Sequence, residues 1–544
     1  MPIPVEKAPT IGNEQQRTPL AHSGSAEAGA STAFSLATEA ALEILRAGGN
    51  AVDAAVAAAW ALSVCEPSGS GLGGQSTLLV YAAGGALRVI DGHSYAPAAA
   101  STETISAIQQ RLGYRACTIP STPATLAYAQ RKYGVLSEPQ VLAPAIRIAE
   151  EGYAITRLQH RQIRWVTRYL RASEGASALF LQNGEAPPPG YVFRQPELAA
   201  TLGRLAEHGI EDFYQGGIAR SIADDMRCHG GIITEDDLQS CGLPVEREPL
   251  CTSYRGFRIV TVPPPGGGLH LLLALKILEQ LTTSSELGDF VSWYELIALA
   301  TYAAFDGREK APLDPEDLTP SLLGWLLSEE RVREIAARIR NCQLGGQPFS
   351  AREGPGDTTH LNVADRAGNV VALTQSIQSV FGAKVANRDL GFVYNNYLCT
   401  CPRSAHPYGL AGNSQPRSNA APTLVLRDTP EGSFPLLALG AAGSRRITSA
   451  IFQVISSVVD RGLSVQDAVA APRVHARLSR KVWMEESSSQ TKIVERLEKH
   501  FTRVDLKRAP SYKLGSVQAL HWTNGERLTG AADPRRDGSS STLQ

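Results

Sequence analysis

The sequence has no excess of either charge: 52 Lys and Arg face 53 Asp and Glu. Nucleic-acid binding, which needs a basic face to displace condensed counterions, is disfavoured by that balance. Aromatic residues are scarce at 6 %, which argues against the stacking platforms that hold single strands. Long apolar runs are missing too. The longest, residues 54–65, reaches about half of the roughly 20 residues a membrane span requires. The first residues, through Ser23 and Gly24, are polar and carry prolines, with no apolar stretch like that of a secretion signal. The eight cysteines are scattered, and only Cys399 and Cys401 lie close together. A C-x-C pair lacks the two-residue gap of zinc knuckles and thioredoxin-like sites. No two histidines have the His-Glu-x-x-His spacing of a helical metal site, so neither metal nor other cofactor is expected. The expectation is a cytoplasmic protein whose thiols are reduced and mostly buried.

What is present is material for a large core. A chain of 544 residues allows about three domains, or one large α/β body wrapped by insertions. Residues 1–28 read as a disordered lead-in. Apolar spacing predicts a helix over 35–48, stopped by Gly48-Gly49. A second, alanine-dense helix is predicted over 50–64, apolar nearly all round and therefore buried. A Gly/Ser loop follows over 66–74, then two apolar strands over 76–81 and 87–90. The middle, 121–329, reads as helical segments punctuated by Pro and Gly, with a Val-Pro-Pro-Pro-Gly-Gly-Gly loop at 262–268 and a buried helix over 269–281. Residues 341–357 are polar and aperiodic, a long connector. After it, strands are predicted over 359–364, 370–376, 424–426 and 436–439, and helices over 446–460 and 465–471.

The most informative stretch is Asp357-Thr358-Thr359-His360, where the connector runs into a strand. If the loop 365–369 closes a regular hairpin, Ala364 faces Val370 and, by the same count, Thr358 faces Ser376 across the ladder. On local evidence alone, an ordinary hairpin with Thr favoured for β-propensity is the better account of the pattern. The chemical interest is specific. Cutting the bond before Thr358 would give that residue a free α-amine, whose reference pKa of about 7.7–8 suits a general base. One residue would then supply both nucleophile and base.

The chain resembles the gamma-glutamyltransferase family of N-terminal-nucleophile (Ntn) hydrolases from about residue 34 to 538. The resemblance is carried by Gly-Gly-Asn-Ala-Val-Asp-Ala-Ala-Val-Ala at 48–57, Glu66-Pro67, Ser70-Gly71-Leu72-Gly73-Gly74, and Tyr133-Gly134 with Leu142-Ala143-Pro144-Ala145-Ile146. It continues through Val245-Glu246-Arg247-Glu248-Pro249, Tyr254-Arg255-Gly256, Pro263-Pro264-Pro265, Thr358-Thr359-His360, Asn395-Asn396, Gly443-Ser444-Arg445 and Ala532-Asp533-Pro534-Arg535-Arg536-Asp537-Gly538. The resemblance implies an α/β (α+β) fold, a four-layer αββα sandwich. It also implies an inactive precursor cut between Asp357 and Thr358 into a large subunit, 29–357 after the lead-in, and a small one, 358–544. Further association of these subunits is compatible with it. Thr358 matches the family nucleophile and Ser376 a second hydroxyl that assists it. Ala442 and Gly443 fall where backbone N–H groups form an oxyanion hole; Ala442 keeps the N–H but restricts φ.

The departures from the family pattern concern the acyl group. Where the family has an Arg that clamps an α-carboxylate, this chain has His93, in Asp91-Gly92-His93-Ser94. An imidazole cannot reproduce a bidentate guanidinium fork. Where the family has an acidic residue for the α-amine, this chain has Thr400. Paired serines become Ser418-Asn419, and an Asn that orients the second hydroxyl becomes Gln378. With Tyr397, these residues form a neutral lining suited to a polar, weakly charged acyl group. The sequence therefore points to a small-molecule amide hydrolase or acyltransferase whose acyl group lacks the amino-acid head. Two alternatives stay open: a true gamma-glutamyltransferase with other head-group contacts, and a non-processing scaffold. His360 is expected to be a structural hydrogen-bonding residue, and Arg535-Arg536 solvated or structural charges. The glycine-rich loops at 66–74 and 263–268 lack the Lys-Ser/Thr of a phosphate loop and read as turns lining a cleft.

Overall fold

A computed structural model describes residues 27–282, 289–310, 313, 318–341, 356–404, 406–523 and 527–543. The lead-in, except for its last two residues, and positions 342–355 of the connector lie outside the described residues. Two antiparallel sheets stack face to face. The first runs, strand by strand, Ser539–Leu543, Ala28–Thr32, Thr359–Ala364, Val370–Ser376, Gln75–Tyr81, Leu87–Gly92 and Val245–Arg247. The second runs Arg527–Ala532, Ser516–Thr523, Gly432–Ala442, Thr423–Thr429, Phe257–Thr261 and Leu250–Tyr254. Their facing side chains, including Leu79, Tyr81 and Val89 from one sheet and Val260, Leu424, Leu520 and Trp522 from the other, form one buried layer. The outer face of the first sheet packs on the helices Ser35–Arg46 and Ala51–Cys65. The second sheet packs on Gly268–Leu281 and Arg446–Val459, with Phe290–Lys310 packed against those two helices. This is the expected αββα layering.

The helix Ala51–Cys65 shows why the sequence folds this way. Every one of its residues is buried, and its alanines let it approach its neighbours closely. Asn50 caps it: its side chain accepts from the N–H groups of Val52 and Asp53, and the Asp53 carboxylate accepts from Asn50 N–H in return. The Ala51 N–H donates to Asp365 Oδ2 at 2.9 Å. That bond ties the helix start to the turn of the 359–376 hairpin.

Several expectations are corrected. The lead-in boundary at 28 is too late, because Ala28 already pairs with Leu543 and the Glu27 carboxylate accepts from Leu528 N–H. The middle segment is not purely helical: Leu250–Tyr254 and Phe257–Thr261 form a hairpin in the second sheet. In the first of these strands Cys251 and Ser253 face outward, and Thr252 interrupts the inward face formed by Leu250 and Tyr254, so five residues carry too little apolar pattern to mark it. All cysteines among the described residues are free, but Cys228 and Cys251 are exposed rather than packed.

Gly440 of the second sheet lies directly against the hairpin of interest. A Cβ built there would fall inside the imidazole of His360, which is fully buried. Gly440→Ala should therefore destabilise the fold by about 1–3 kcal/mol, as overpacking does. His360→Ser in the same chain should recover part of that loss. Thermal melts of the wild type and these two variants check both expectations.

Candidate functional site

The hairpin has the expected register, with Val370 opposite Ala364 and Gln375 opposite Thr359. One step further, Thr358 Oγ1 and Ser376 Oγ lie 3.0 Å apart. The Asp357 carbonyl is the focus of the cluster. The Thr358 hydroxyl donates to Asp357 O at 2.6 Å and the Ser376 hydroxyl donates to the same oxygen at 3.0 Å. Gln378 holds Ser376 with its backbone, its N–H donating to Ser376 Oγ at 2.9 Å. It also anchors Asp357, whose N–H donates to Gln378 O at 2.9 Å. To do both it adopts φ +78°, a strained left-handed conformation for a non-glycine residue. Thr358 is only 4 % exposed, so the uncut chain covers the hydroxyl.

A neutral hydrogen-bonded group extends from Ser376 toward the expected pocket wall. The Tyr397 hydroxyl lies within hydrogen-bond reach of Ser376, Ser418 and Gln75; burial pushes it up to about 12, against those three contacts. Gln75, opposite Ser376 in the ladder, accepts from Ser94 N–H and Oγ at 2.9 and 2.7 Å. Next to Ser94, His93 is buried and donates its Nδ1–H to Asp91, while its Nε2 has no hydrogen-bond partner among the described residues. Arg247 Nε donates to the other Asp91 oxygen at 2.6 Å. Thr400 is half-buried, and its hydroxyl is used locally on Tyr397 O at 2.9 Å. Ser418 is buried and accepts from Ala420 N–H at 3.1 Å. Asn419 is half-buried, with its backbone against Gly267.

On the opposite side of Thr358 lies a charged group that sequence reasoning did not assign to the site. The Asp357 carboxylate is fully buried and paired with Arg536. Ser68 Oγ and Gln162 Nε2 donate to its Oδ2 at 3.1 and 3.2 Å, and the Tyr512 hydroxyl also contacts it. Arg536 pairs at its other end with Glu66. Burial lifts the Glu66 carboxyl to about 7; Arg536 opposes the shift and Asp357 reinforces it. Of the two roles expected for Arg535 and Arg536, solvated or structural, both take the structural one, Arg535 being buried against Glu485 and Asp533. The signal was their place in a quoted motif, since spacing alone carries no hint of partners so distant in sequence.

The strand Gly432–Ala442 runs over this hairpin and ends beside it. Ala442 has an ordinary extended backbone, and the left-handed turn falls on Gly443, at φ +127° and against Gly515. Beyond it, a Cβ on Gly356 would collide with Ser444, and Arg446 Nη2 donates to Gly356 O at 3.4 Å. The positive end of the helix Arg446–Val459 thus starts beside the 356–358 segment. His360 hydrogen-bonds Thr374 and Asn362 at 2.8 and 3.1 Å, and burial lowers it to about 3. It is a neutral structural residue. Among the described residues, no group of three His, Cys, Asp or Glu could hold a metal ion.

The Asp91 carboxyl offers a pH test. Burial alone would raise it, but His93 and Arg247 outweigh burial and hold it at about 2, below its ordinary 3.8. A depressed carboxyl contributes stability above its unfolded pKa and loses it as pH falls through the folded one. The wild type should lead Asp91→Asn at neutral pH, with a pH-dependent part of about 2 kcal/mol that fades between about pH 4 and pH 2. Urea melts across that range check it.

Comparison with known proteins agrees with this geometry. The family model described as Gamma-glutamyltranspeptidase matches residues 37–543. The glutathione hydrolase proenzyme of Escherichia coli (strain K12) is 30 % identical over 529 residues, covering 92 % of this chain and 89 % of that protein. The acylase ACY 1 proenzyme of Pseudomonas sp. (strain V22) is 32 % identical over 525 residues, covering 93 % and 91 %. The crystal structure of cephalosporin acylase from Bacillus halodurans is 29 % identical, with a TM-score of 0.84 and 99 % of each chain covered. The stacked sheets are the core of the Ntn hydrolases. From fold, motif order and overall similarity together, the chain belongs to the gamma-glutamyltranspeptidase family.

Proposed function

We propose that this chain is an autoprocessing amide hydrolase or acyltransferase, cut between Asp357 and Thr358 and acting through an acyl ester on Thr358. The carrying observation is the hydroxyl pair. Thr358 and Ser376 converge on the Asp357 carbonyl oxygen at 2.6 and 3.0 Å, so the bond to be cut already sits against its nucleophile. After cleavage, the Thr358 α-amine serves as the general base for its own hydroxyl. The Ser376 hydroxyl, held by Gln378 N–H, orients that nucleophile. The backbone at Ala442 and Gly443, at a helix N-terminus, receives the oxyanion of the tetrahedral intermediate. The large piece then has 357 residues and the small one the remaining 187 of 544.

The acyl group in this reading lacks an α-amino acid head. The His93 position holds no guanidinium, and the Thr400 hydroxyl is committed to its own turn. His93 Nε2, Tyr397, Ser418 and Asn419 instead offer hydrogen bonds without a guanidinium or carboxylate. Removing one partner of a desolvated charge pair costs about 2–5 kcal/mol, so a zwitterionic acyl group without either partner is held far more weakly. The names of the acylase relatives are compatible with such a substrate class.

A denaturing gel and an amide panel test both halves. The wild type should give two bands of about 38 and 20 kDa, in proportion to the 58.1 kDa chain, with Thr358 at the new N-terminus. Thr358→Ala should stay whole. Mature enzyme should cleave an acyl anilide lacking the α-amino group roughly a hundredfold faster than its γ-glutamyl counterpart, the size of about 2–3 kcal/mol. Uncut wild-type protein would end the nucleophile assignment, and efficient γ-glutamyl turnover would end the acyl assignment.

A further inference from the structure

We propose that the Asp357 side chain is a positioning residue for maturation, a carboxylate clamp that fixes the carbonyl to be attacked. The inference rests on the autoprocessing reading above. Both oxygens of the Asp357 carboxylate are held. Oδ1 pairs with Arg536 and accepts from Thr358 N–H at 2.9 Å; Oδ2 accepts from Ser68 and Gln162 at 3.1 and 3.2 Å. Together with the bond from Asp357 N–H to Gln378 O, these contacts leave the residue no free torsion. The carbonyl oxygen is thereby directed onto Thr358 and Ser376. The holding groups come from four distant parts of the chain, so the scissile bond is set by the finished fold rather than by the local sequence.

The clamp also suits the chemistry of each step. The Thr358 oxygen bonds to the Asp357 carbonyl carbon, the C–N bond breaks, and the hydroxyl proton ends on the departing nitrogen. That nitrogen becomes a basic amine directly beside the Asp357 carboxylate, which stabilises its protonated form. Water then adds to the ester carbon, the bond to the Thr358 oxygen breaks, and a proton returns to that oxygen. Asp357 leaves with a new α-carboxylate. Its two negative charges, with Glu66 close by, now face the single guanidinium of Arg536. In a buried site this like-charge crowding is unfavourable, so the newly made end is driven out while Arg536 stays paired with Glu66.

The test uses the full chain made by cell-free translation and chased at neutral pH, with cutting read on a denaturing gel. Asp357→Ala should cut at least tenfold more slowly than wild type. Asp357→Asn, of the same shape but without the charge, should fall between them. Because Arg536 keeps Glu66 as a partner, neither change leaves an unpaired buried charge. Each substitution is therefore also placed in a Thr358→Ala chain, where the uncut protein should melt within about 5 °C of its parent. Slow cutting with a preserved melt supports the clamp. Cutting of both variants within twofold of wild type overturns it, and so does slow cutting accompanied by a collapsed melt. A wild-type chain that is never cut overturns the autoprocessing reading and the clamp together, whereas a cut wild type with equally fast variants overturns the clamp alone.

Discussion

The site depends on a single register, that between the strands Thr359–Ala364 and Val370–Ser376. Side chains alternate faces along a strand, so a slip by one residue would turn Thr358 away from Ser376 and disperse the cluster. The register is fixed by more than hydrophobic pattern. Both strands are interior, flanked by Ala28–Thr32 and Gln75–Tyr81. Directly opposed His360 and Thr374 share a buried hydrogen bond. Asn362 Nδ2 reaches Gln518 O of the other sheet at 2.9 Å, and Gln375 Nε2 reaches Ala59 O of the buried helix at 2.9 Å. Any shift would leave these polar groups unsatisfied in the core, at a cost of about 1–3 kcal/mol each.

Thr358 stands between two unlike environments. On one side, Ser376, Tyr397, Ser418 and Gln75 form an uncharged set of donors and acceptors. On the other, Asp357, Arg536 and Glu66 concentrate formal charge where water is excluded and charges are expensive to leave unpaired. The asymmetry divides the labour in the proposed scheme, with the charged side serving the bond within the chain and the neutral side serving the incoming amide. In that scheme, keeping the two apart would let the acyl pocket change its chemistry, as proposed at His93 and Thr400, without disturbing the residues that would carry out maturation.

Much of this was legible in the sequence because it is encoded locally. The helices over Ser35–Arg46 and Ala51–Cys65, the hairpin and its register, and the helices after Arg446 all follow from periodicity, caps and turn length. Candidate site residues were named from ordered motifs rather than spacing, and of these Thr358, Ser376 and Gln378 come together in the structure. What escaped is long-range. Arg536 meets Glu66 and Asp357 across 470 and 179 positions, and apart from its place in the 532–538 motif nothing near it distinguishes it from a surface charge. The strands Leu250–Tyr254, Phe257–Thr261 and Ser539–Leu543 carry mixed or polar side chains, so their identity comes from sheet neighbours rather than from alternation. The backbone role of Gln378 is likewise a property of its φ, which its side chain does not announce.

The strand order has a mechanical consequence for a nicked molecule. In the first sheet, Ser539–Leu543 lies beside Ala28–Thr32, which lies beside Thr359–Ala364; further on, Val370–Ser376 lies beside Gln75–Tyr81. In the second, Thr423–Thr429 adjoins Phe257–Thr261. Segments from before and after residue 358 are thus interleaved like the fingers of clasped hands. Severing the backbone there would free a chain end without freeing a fragment, since parting the halves means tearing ladders in both sheets at once. Such a product would be two polypeptides by mass and one body by cohesion.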